Sequence, residues 1–340
     1  RGSGDAGCFV SYYRPLARQD TARPNSAYLL AGGVLWFNEV EVSGRDHPSS
    51  VIAASEIPAA VLQRLTAPRP AIAGLDMGQP QLMGIVNATP DSFSDGGRHE
   101  APDVAQRAAL EMVAAGAAMI DIGGESTRPG AAFVPEEQEI ARTAPVIAAL
   151  RRQTDVPISI DTRKAAVARA ALDAGASLVN DVSGFTFDAA LAPLCADLGV
   201  PVCVMHAQGD PATMQENPVY DNVLLEVYDF LEARITALES AGIPRAGIVV
   251  DPGIGFGKTQ AHNLTLLRNS ALFHGLGCAI LLGASRKRFI GTISEQPRAD
   301  ARAPGSIAVG LAAVAQGVQI LRIHDVAETA QALRLWRAVR

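Results

Sequence analysis

The polar residues that could do chemistry in this sequence recur at one kind of place, the end of a short apolar run. Asn87 follows the run 82–86, Asp121 stands inside 119–123, and Asp161 closes 157–160. Asn180 and Asp181, His206, Asp251, the triplet Ser285-Arg286-Lys287 and the triplet Arg322-Ile323-His324 close five more. Asp161, Asn180 and Asp251 together offer acceptors and amide donors suited to a flat polar heterocycle. A carboxylate accepts two parallel N–H bonds from a ring nitrogen and its neighbouring amino group. Arg322, His324 and Asn87 would suit an anion.

Taken singly, each has a plain reading. Asp161 could simply cap the helix expected from residue 164, and a lone histidine such as His206 is an ordinary hydrogen-bonded structural residue. Eight such positions after eight apolar runs are a stronger signal. The segment Asp251-Pro252-Gly253-Ile254-Gly255-Phe256-Gly257-Lys258-Thr259 ends like a phosphate-binding loop. Pro252 stands where that motif requires glycine, so the match fails. Two readings remain: a plain tight turn, or glycines that let backbone approach a flat ligand with Phe256 available to stack.

The apolar runs that must position these residues read as strands at 82–87, 119–123, 157–161, 178–181, 202–206, 248–251, 279–285 and 320–324. Helical patterns lie between them at 103–115, 135–153, 164–174, 189–198, 222–240, 263–272, 306–316 and 326–339. Short continuous apolar strands are buried on both faces, and alternation of strand and helix means a parallel sheet. Eight repeats favour a closed (β/α)8 TIM barrel, which would gather all eight strand ends on one face. An open doubly wound sheet is second, since no G-x-G-x-x-G turn follows the first strand.

Residues 1–80 differ from the rest, being rich in Pro, Arg and Ser. They are expected to form an N-terminal extension, with 81–340 as the catalytic barrel. A hairpin is read at 27–30 and 34–37 around Gly32-Gly33, a short helix at 57–65 before Pro68 and Pro70, and a second hairpin pairing 71–75 with 81–86. The extension would pack on the closed end or flank of the barrel.

The whole chain has 340 residues, 48% hydrophobic and 19% charged, enough for a large core. Its 35 acidic residues outweigh 29 Lys and Arg, which argues against a nucleic-acid partner. No apolar run approaches the roughly 20 residues of a membrane span, and Arg1-Gly2-Ser3-Gly4-Asp5 shows no apolar signal segment. Cys8, Cys195, Cys203 and Cys278 are scattered with no C-x-x-C pair, so a reducing, cytoplasmic location is expected.

The motifs resemble those of the dihydropteroate synthases, the pterin-binding folate-pathway enzymes targeted by sulfonamides. The matching segments run from Leu82 through Asn87-Ala88-Thr89-Pro90-Asp91-Ser92-Phe93 and Asp121-Ile122-Gly123-Gly124-Glu125-Ser126-Thr127-Arg128-Pro129-Gly130. They continue through Ile160-Asp161-Thr162, Asn180-Asp181-Val182-Ser183-Gly184, the Asp251–Lys258 glycine segment, Ser285-Arg286-Lys287-Arg288 and Arg322-Ile323-His324-Asp325. The resemblance implies condensation of 6-hydroxymethyl-7,8-dihydropterin diphosphate with 4-aminobenzoate, releasing dihydropteroate and pyrophosphate. It implies that Asp161, Asn180, Asp251 and Lys287 bind the pterin, with Met205 and Phe256 lining its slot. Asn87, Thr127, Arg322 and His324 would take the diphosphate, and Asn87 with Asp91 would hold Mg²⁺. Phe93, Thr127, Arg128, Pro129, Ser285 and Arg286 would surround 4-aminobenzoate. Asp161, Lys287, Arg322 and His324 would carry the catalysis. The resemblance also implies a homodimer, and the Ala- and Gly-rich stretch 306–317 would suit a close-packed helix interface.

Two other functions fit less well. A methyltetrahydrofolate methyltransferase on a similar barrel would keep the pterin residues but need no diphosphate pocket. A non-catalytic pterin-binding paralogue should have lost loop or anion-pocket residues, and none is lost here.

Overall fold

The computed structural model describes residues 10–88, 101–126, 133–209 and 214–339. Its first five strands are β1 (Tyr12–Pro15), β2 (Tyr28–Leu29), β3 (Trp36–Phe37), β4 (Glu39–Ser43) and β5 (Ser50–Ala53), followed by helix α1 (Ala59–Thr66). The expected hairpin forms: β2 and β3 pair antiparallel with Tyr28 opposite Phe37. Its turn needs glycine at Gly32, where φ is +70° and a Cβ would lie 2.6 Å from Pro68. The antiparallel sheet β1-β4-β5 was not anticipated.

The remainder alternates strand and helix. The strands are β6 (Gln81–Asn87), β7 (Met119–Gly123), β8 (Ile158–Asp161), β9 (Leu178–Asp181), β10 (Val202–Met205), β11 (Ile248–Asp251), β12 (Ala279–Leu282) and β13 (Ile320–Ile323). Between and after them lie α2 (Ala101–Ala115), α3 (Glu136–Arg151), α4 (Ala165–Asp173), α5 (Leu191–Leu198), α6 (Val223–Ser240), α7 (Gln260–Arg268), α8 (Arg288–Ile293), α9 (Ala303–Val314) and α10 (Val326–Val339). The strands close into a parallel barrel, with β13 beside β6 in the register Ile320↔Gln81 to Ile323↔Gly84. Local chemistry sets several boundaries. Asn222 caps α6 through the Leu225 amide, and Thr259 caps α7 through the His262 amide.

The second expected hairpin does not exist. Both edges of β6 are taken by β13 and β7, so nothing remains for 71–75 to pair with. That segment instead folds on itself, Ile72 and Leu75 exchanging backbone hydrogen bonds of 3.1 and 2.9 Å. Ile72 and Met77 are then buried among Met83, Met119, Leu178, Cys203, Val249, Ala279, Leu281 and Ile320, stoppering the N-terminal end of the barrel. The β1 sheet lies on the flank, where Tyr12 packs with Leu225 and Leu272. Arg69 bolts the two parts together, donating to the carbonyls of Cys278 and His274 at 3.1 and 2.9 Å.

Candidate active site

Alternate residues of a strand face opposite ways. Leu82, Val86, Ile120, Ile122, Ile158, Ile160, Val179, Val202, Val204, Val250, Leu321 and Ile323 belong to the layer between strands and helices. The other parity faces the barrel axis. There it is apolar at the floor, with Met83, Met119, Leu178, Cys203, Val249 and Ile320. Two or four residues further on it is polar or functional, giving Asn87, Asp121, Asp161, Asn180, Met205, Asp251, Arg322 and His324. Asp181 falls on the outward parity and ties its own loop, accepting from the Ser183 and Phe185 amides at 2.7 and 2.8 Å.

Arg322 crosses the mouth. Its Nε donates to Asp121 Oδ2 at 2.6 Å and its Nη2 to Asp161 Oδ2 at 2.8 Å. Asn180 Nδ2 donates to the same Asp121 oxygen at 3.4 Å. The Oδ1 atoms of Asp121 and Asp161 are buried without a partner, a costly arrangement that marks a place for a donor. Burial raises the Asp161 carboxyl, opposed by the Arg322 guanidinium, whose ion pair favours the carboxylate. For Arg322 itself burial is outweighed by Asp121 and Asp161, which hold it above its ordinary range.

Asp251 is buried too, and burial raises its carboxyl against Lys287, the Gly253 amide and Arg322. That amide donates to Asp251 Oδ1 at 2.8 Å. Gly253 cannot be replaced: φ is +69° and a Cβ would lie 1.8 Å from the His206 carbonyl oxygen. Lys287 Nζ donates to the Ile254 carbonyl and lies 4.5 Å from the centre of the Phe256 ring. Burial lowers its ammonium to about 8, opposed by Asp251. Met205 is buried beside this turn, its Cγ 3.3 Å from the position of a Cβ on Gly253. An acceptor-rich cleft with a cation over an aromatic face results, suited to a flat ring bearing amino and carbonyl groups.

On the far side, Ser285 Oγ takes the His324 amide at 3.1 Å and lies 3.0 Å from His324 Nδ1. Arg286 has φ +59°, with both ends of its guanidinium donating to Asp325. Asn87 is half-buried at the end of β6. A Cβ on Gly123 would lie 3.8 Å from Asp161 Oδ2 and 3.9 Å from Asn87 Oδ1, so glycine leaves the ground between them open. A neutral amide oxygen is a hard donor of the kind a divalent cation accepts alongside water and phosphate oxygens. Among the described residues there is no cluster of three His, Cys, Asp or Glu side chains of metal-binding geometry. Asp91, Phe93, Thr127, Arg128 and Pro129, all named from the motifs, lie outside the described residues.

Two buried lysines have no place among the residues read from the sequence as functional, and Asp121, named there among the polar residues of the strand ends, has no role in it; its parity with Met119 and Gly123 sets it facing the barrel axis. Lys258 Nζ sits 2.8 Å from His206 Nδ1 and donates to the Phe256 carbonyl at 3.0 Å, bracing the glycine turn from behind. Lys164, 1% exposed, reaches Glu139 at 2.6 Å, Glu125 at 3.1 Å and the Val134 carbonyl at 2.6 Å.

Comparison with known proteins places this geometry. The family model described as "Pterin binding enzyme" matches residues 83–324. The dihydropteroate synthase of Escherichia coli strain K12 is 45% identical over 264 residues, covering 78% of this chain and 93% of the relative. The fold matches that of Xanthomonas albilineans dihydropteroate synthase with 4-aminobenzoic acid at a TM-score of 0.76 and 46% identity, covering 80% of this chain and 98% of the other. A structure of the X. albilineans enzyme in complex with 7,8-dihydropteroate matches at a TM-score of 0.73 and 43% identity, with coverage of 80% and 98%.

Proposed function

The chain belongs to the pterin-binding enzyme family, and from that premise we infer that it catalyses the dihydropteroate synthase reaction of folate biosynthesis. It condenses 6-hydroxymethyl-7,8-dihydropterin diphosphate with 4-aminobenzoate, giving dihydropteroate and pyrophosphate. The observation that carries this reading is Arg322 spanning Asp121 and Asp161 at the barrel mouth, which sets an anion-binding cation directly beside ring-binding carboxylates.

The pterin's N–H edge would be taken by Asp161, Asn180 and Asp251, and its carbonyl by Lys287, with Met205 and Phe256 as the walls of the slot. Arg322, His324, Asn87 and Thr127 would hold the diphosphate. Asn87 and Asp91 are the residues that would hold Mg²⁺ there, and the ion supplies charge neutralisation to the leaving group. The C–O bond to diphosphate breaks, leaving a dihydropterin methylene whose positive charge faces the Asp161 carboxylate. The neutral aniline nitrogen then forms the C–N bond and loses its proton, leaving pyrophosphate as the second product. A neutral aniline nitrogen needs no strong base to react. Ser285, Arg286, Phe93, Arg128, Pro129 and Thr127 would shape the 4-aminobenzoate site, Ser285 oriented by its contacts to His324.

The working form would be a homodimer in the cytoplasm. Pro304, Ala308 and Ala312 form an exposed row of small residues along α9, where a second copy could approach closely. The cysteines Cys195, Cys203 and Cys278 are free and buried, in keeping with a reducing compartment. Among the described residues no helix is long and apolar enough to cross a membrane.

The test is pyrophosphate release and dihydropteroate formation from the two substrates, with and without Mg²⁺. Product is expected to require both substrates and to fall at least about 100-fold in Arg322→Ala. Absence of product from the folded wild-type chain, or full activity in that variant, overturns the reading.

A further inference from the structure

We infer that Asp121 is a positioning residue for both halves of the pterin diphosphate, fixing Arg322 for the diphosphate and Asn180 for the ring, an inference that rests on the reaction proposed above. Position shows how such a residue acts. Arg322 stands two residues beyond the floor residue Ile320, and Asp121 two residues beyond the floor residue Met119, so both side chains enter the barrel just above its apolar floor. Asp161, paired with Gly123, lies nearer the mouth. The 2.6 Å bond from Nε to Asp121 Oδ2 holds the near side of the guanidinium, from which Nη2 reaches on to Asp161.

Asp121 is fully buried, and the next inward position above it is Gly123, which adds no side chain over it. From there its Oδ2 also receives Asn180 Nδ2 at 3.4 Å. One carboxylate oxygen thus sets the direction of a cation and of an amide that would touch different parts of one substrate. The two nitrogens on the outer edge of Arg322 are divided between Asp121 and Asp161. When a pterin claims Asp161, Nη2 loses its partner and becomes available to the diphosphate, while Nε stays on Asp121. The guanidinium then turns about a held point instead of searching four free torsions.

Charge alone predicts the opposite of this role. Asp121 puts a negative charge beside an anion site, so removing that charge would tighten anion binding if position did not matter. The experiment compares wild type with Asp121→Asn and Asp121→Glu in the full-length protein. Affinities for inorganic pyrophosphate and for 6-hydroxymethylpterin are measured separately by calorimetry, with melting temperature and the KM for 4-aminobenzoate alongside.

Positioning requires both affinities to fall by about tenfold or more, as for loss of a charged hydrogen bond, with the KM for 4-aminobenzoate within about twofold of wild type. It requires the same in Asp121→Glu, which keeps the charge and displaces the oxygens by a methylene. Pyrophosphate bound as well as or better than by wild type, in whichever variant folds, overturns the inference. So does a lowered melting temperature with both affinities unchanged. Wild-type protein that binds both probes and makes no product refutes the proposed reaction alone, because the positioning test reads binding.

Discussion

Nη2 of Arg322 donates to Oδ2 of Asp161 at 2.8 Å, joining the last strand of the barrel to the third. The carboxylate best placed to receive a pterin is thus already answered by the cation best placed to receive a diphosphate. A ligand that claimed Asp161 would exchange partners with Arg322, so that no buried charge is left alone. The unpartnered Oδ1 of Asp161 is where the exchange can begin.

Asp161→Asn separates the two halves of that exchange. The variant removes the charge that would face the cationic methylene and puts an amide where a second acceptor is needed. Turnover is expected to fall by about 100-fold or more. Inorganic pyrophosphate should bind as tightly as to wild type, or more tightly, since Nη2 is released from a carboxylate. Calorimetry with pyrophosphate, beside steady-state rates, checks both; pyrophosphate binding that falls with the rate would show that Asp161 supports the anion site directly.

How much of this could be read beforehand follows from what is local. The strand ends were legible because an apolar run closed by a polar residue needs no knowledge of neighbours. The (β/α)8 closure follows from counting eight such units, but strand pairing does not: 71–75 and 81–86 are neighbours in sequence, whereas β6 finds its second partner in β13, at the other end of the chain. Asp121 is named among the strand-end polar residues but without a role, because it stands inside its strand and only parity with the floor residue Met119 shows that it faces the axis. Lys164, before a helix and beside Arg163, has the local pattern of a solvated cation. Its burial depends on Glu125 and Glu139 arriving from other segments.

Lys164→Met tests that burial. Glu139 is fully buried, with Oε1 unpartnered and Oε2 held by Lys164, so removing the ammonium leaves a buried carboxylate without its counterion. A loss of about 3–5 kcal/mol is expected, read as a lower thermal midpoint. Adding Glu139→Gln to the same chain should recover part of it, because the orphaned charge is gone. Equal midpoints for wild type and the single variant would mean that the cluster contributes nothing net. The cluster also grips both sides of the segment 127–132: Glu125 and the Val134 carbonyl both meet Lys164. The KM for 4-aminobenzoate should therefore rise in the single variant.

Arg286 is held by a different tie. Its backbone lies in the left-handed region at φ +59°, a strained position for a non-glycine residue. Its amide donates to Ser306 Oγ at 2.8 Å and its carbonyl accepts from Arg302 at 3.0 Å. With the Asp325 pair added, the turn between Ser285 and Lys287 has little freedom. Asp325→Ala should loosen it and raise the KM for both substrates by several-fold, while Arg286→Gly, which relieves the backbone and loses the pair, should cost less stability than Arg286→Ala. Thermal midpoints of the three variants give the order, and an Arg286→Gly chain less stable than Arg286→Ala would refute the strain argument.

Acid should destabilise the fold through two histidines far from each other. His206 is held neutral by burial and by the Lys258 ammonium, its imidazole lowered to about 2. His274 is lowered to about 3 by burial and by Arg69, with Nε2 bonded to the Gln316 carbonyl and Nδ1 buried without a partner. Each folded value lies below the unfolded 6.5, so between 6.5 and that folded value the unfolded chain binds the extra proton. Their contribution is intact above pH 6.5 and is lost as pH falls, by about 2 kcal/mol for each histidine at pH 5. Burial raises the Asp161 carboxyl, which acts in the other direction and favours the fold as pH falls, so single variants must isolate the histidines. His206→Asn keeps an acceptor where Nδ1 stood, and His274→Gln keeps a donor where Nε2 stood. The drop in urea midpoint from pH 7 to pH 5 should shrink in each variant relative to wild type, and more in the double variant. An unchanged drop in all three would mean that these imidazoles protonate within the fold, and a ring that titrates near 6 by NMR would show which one.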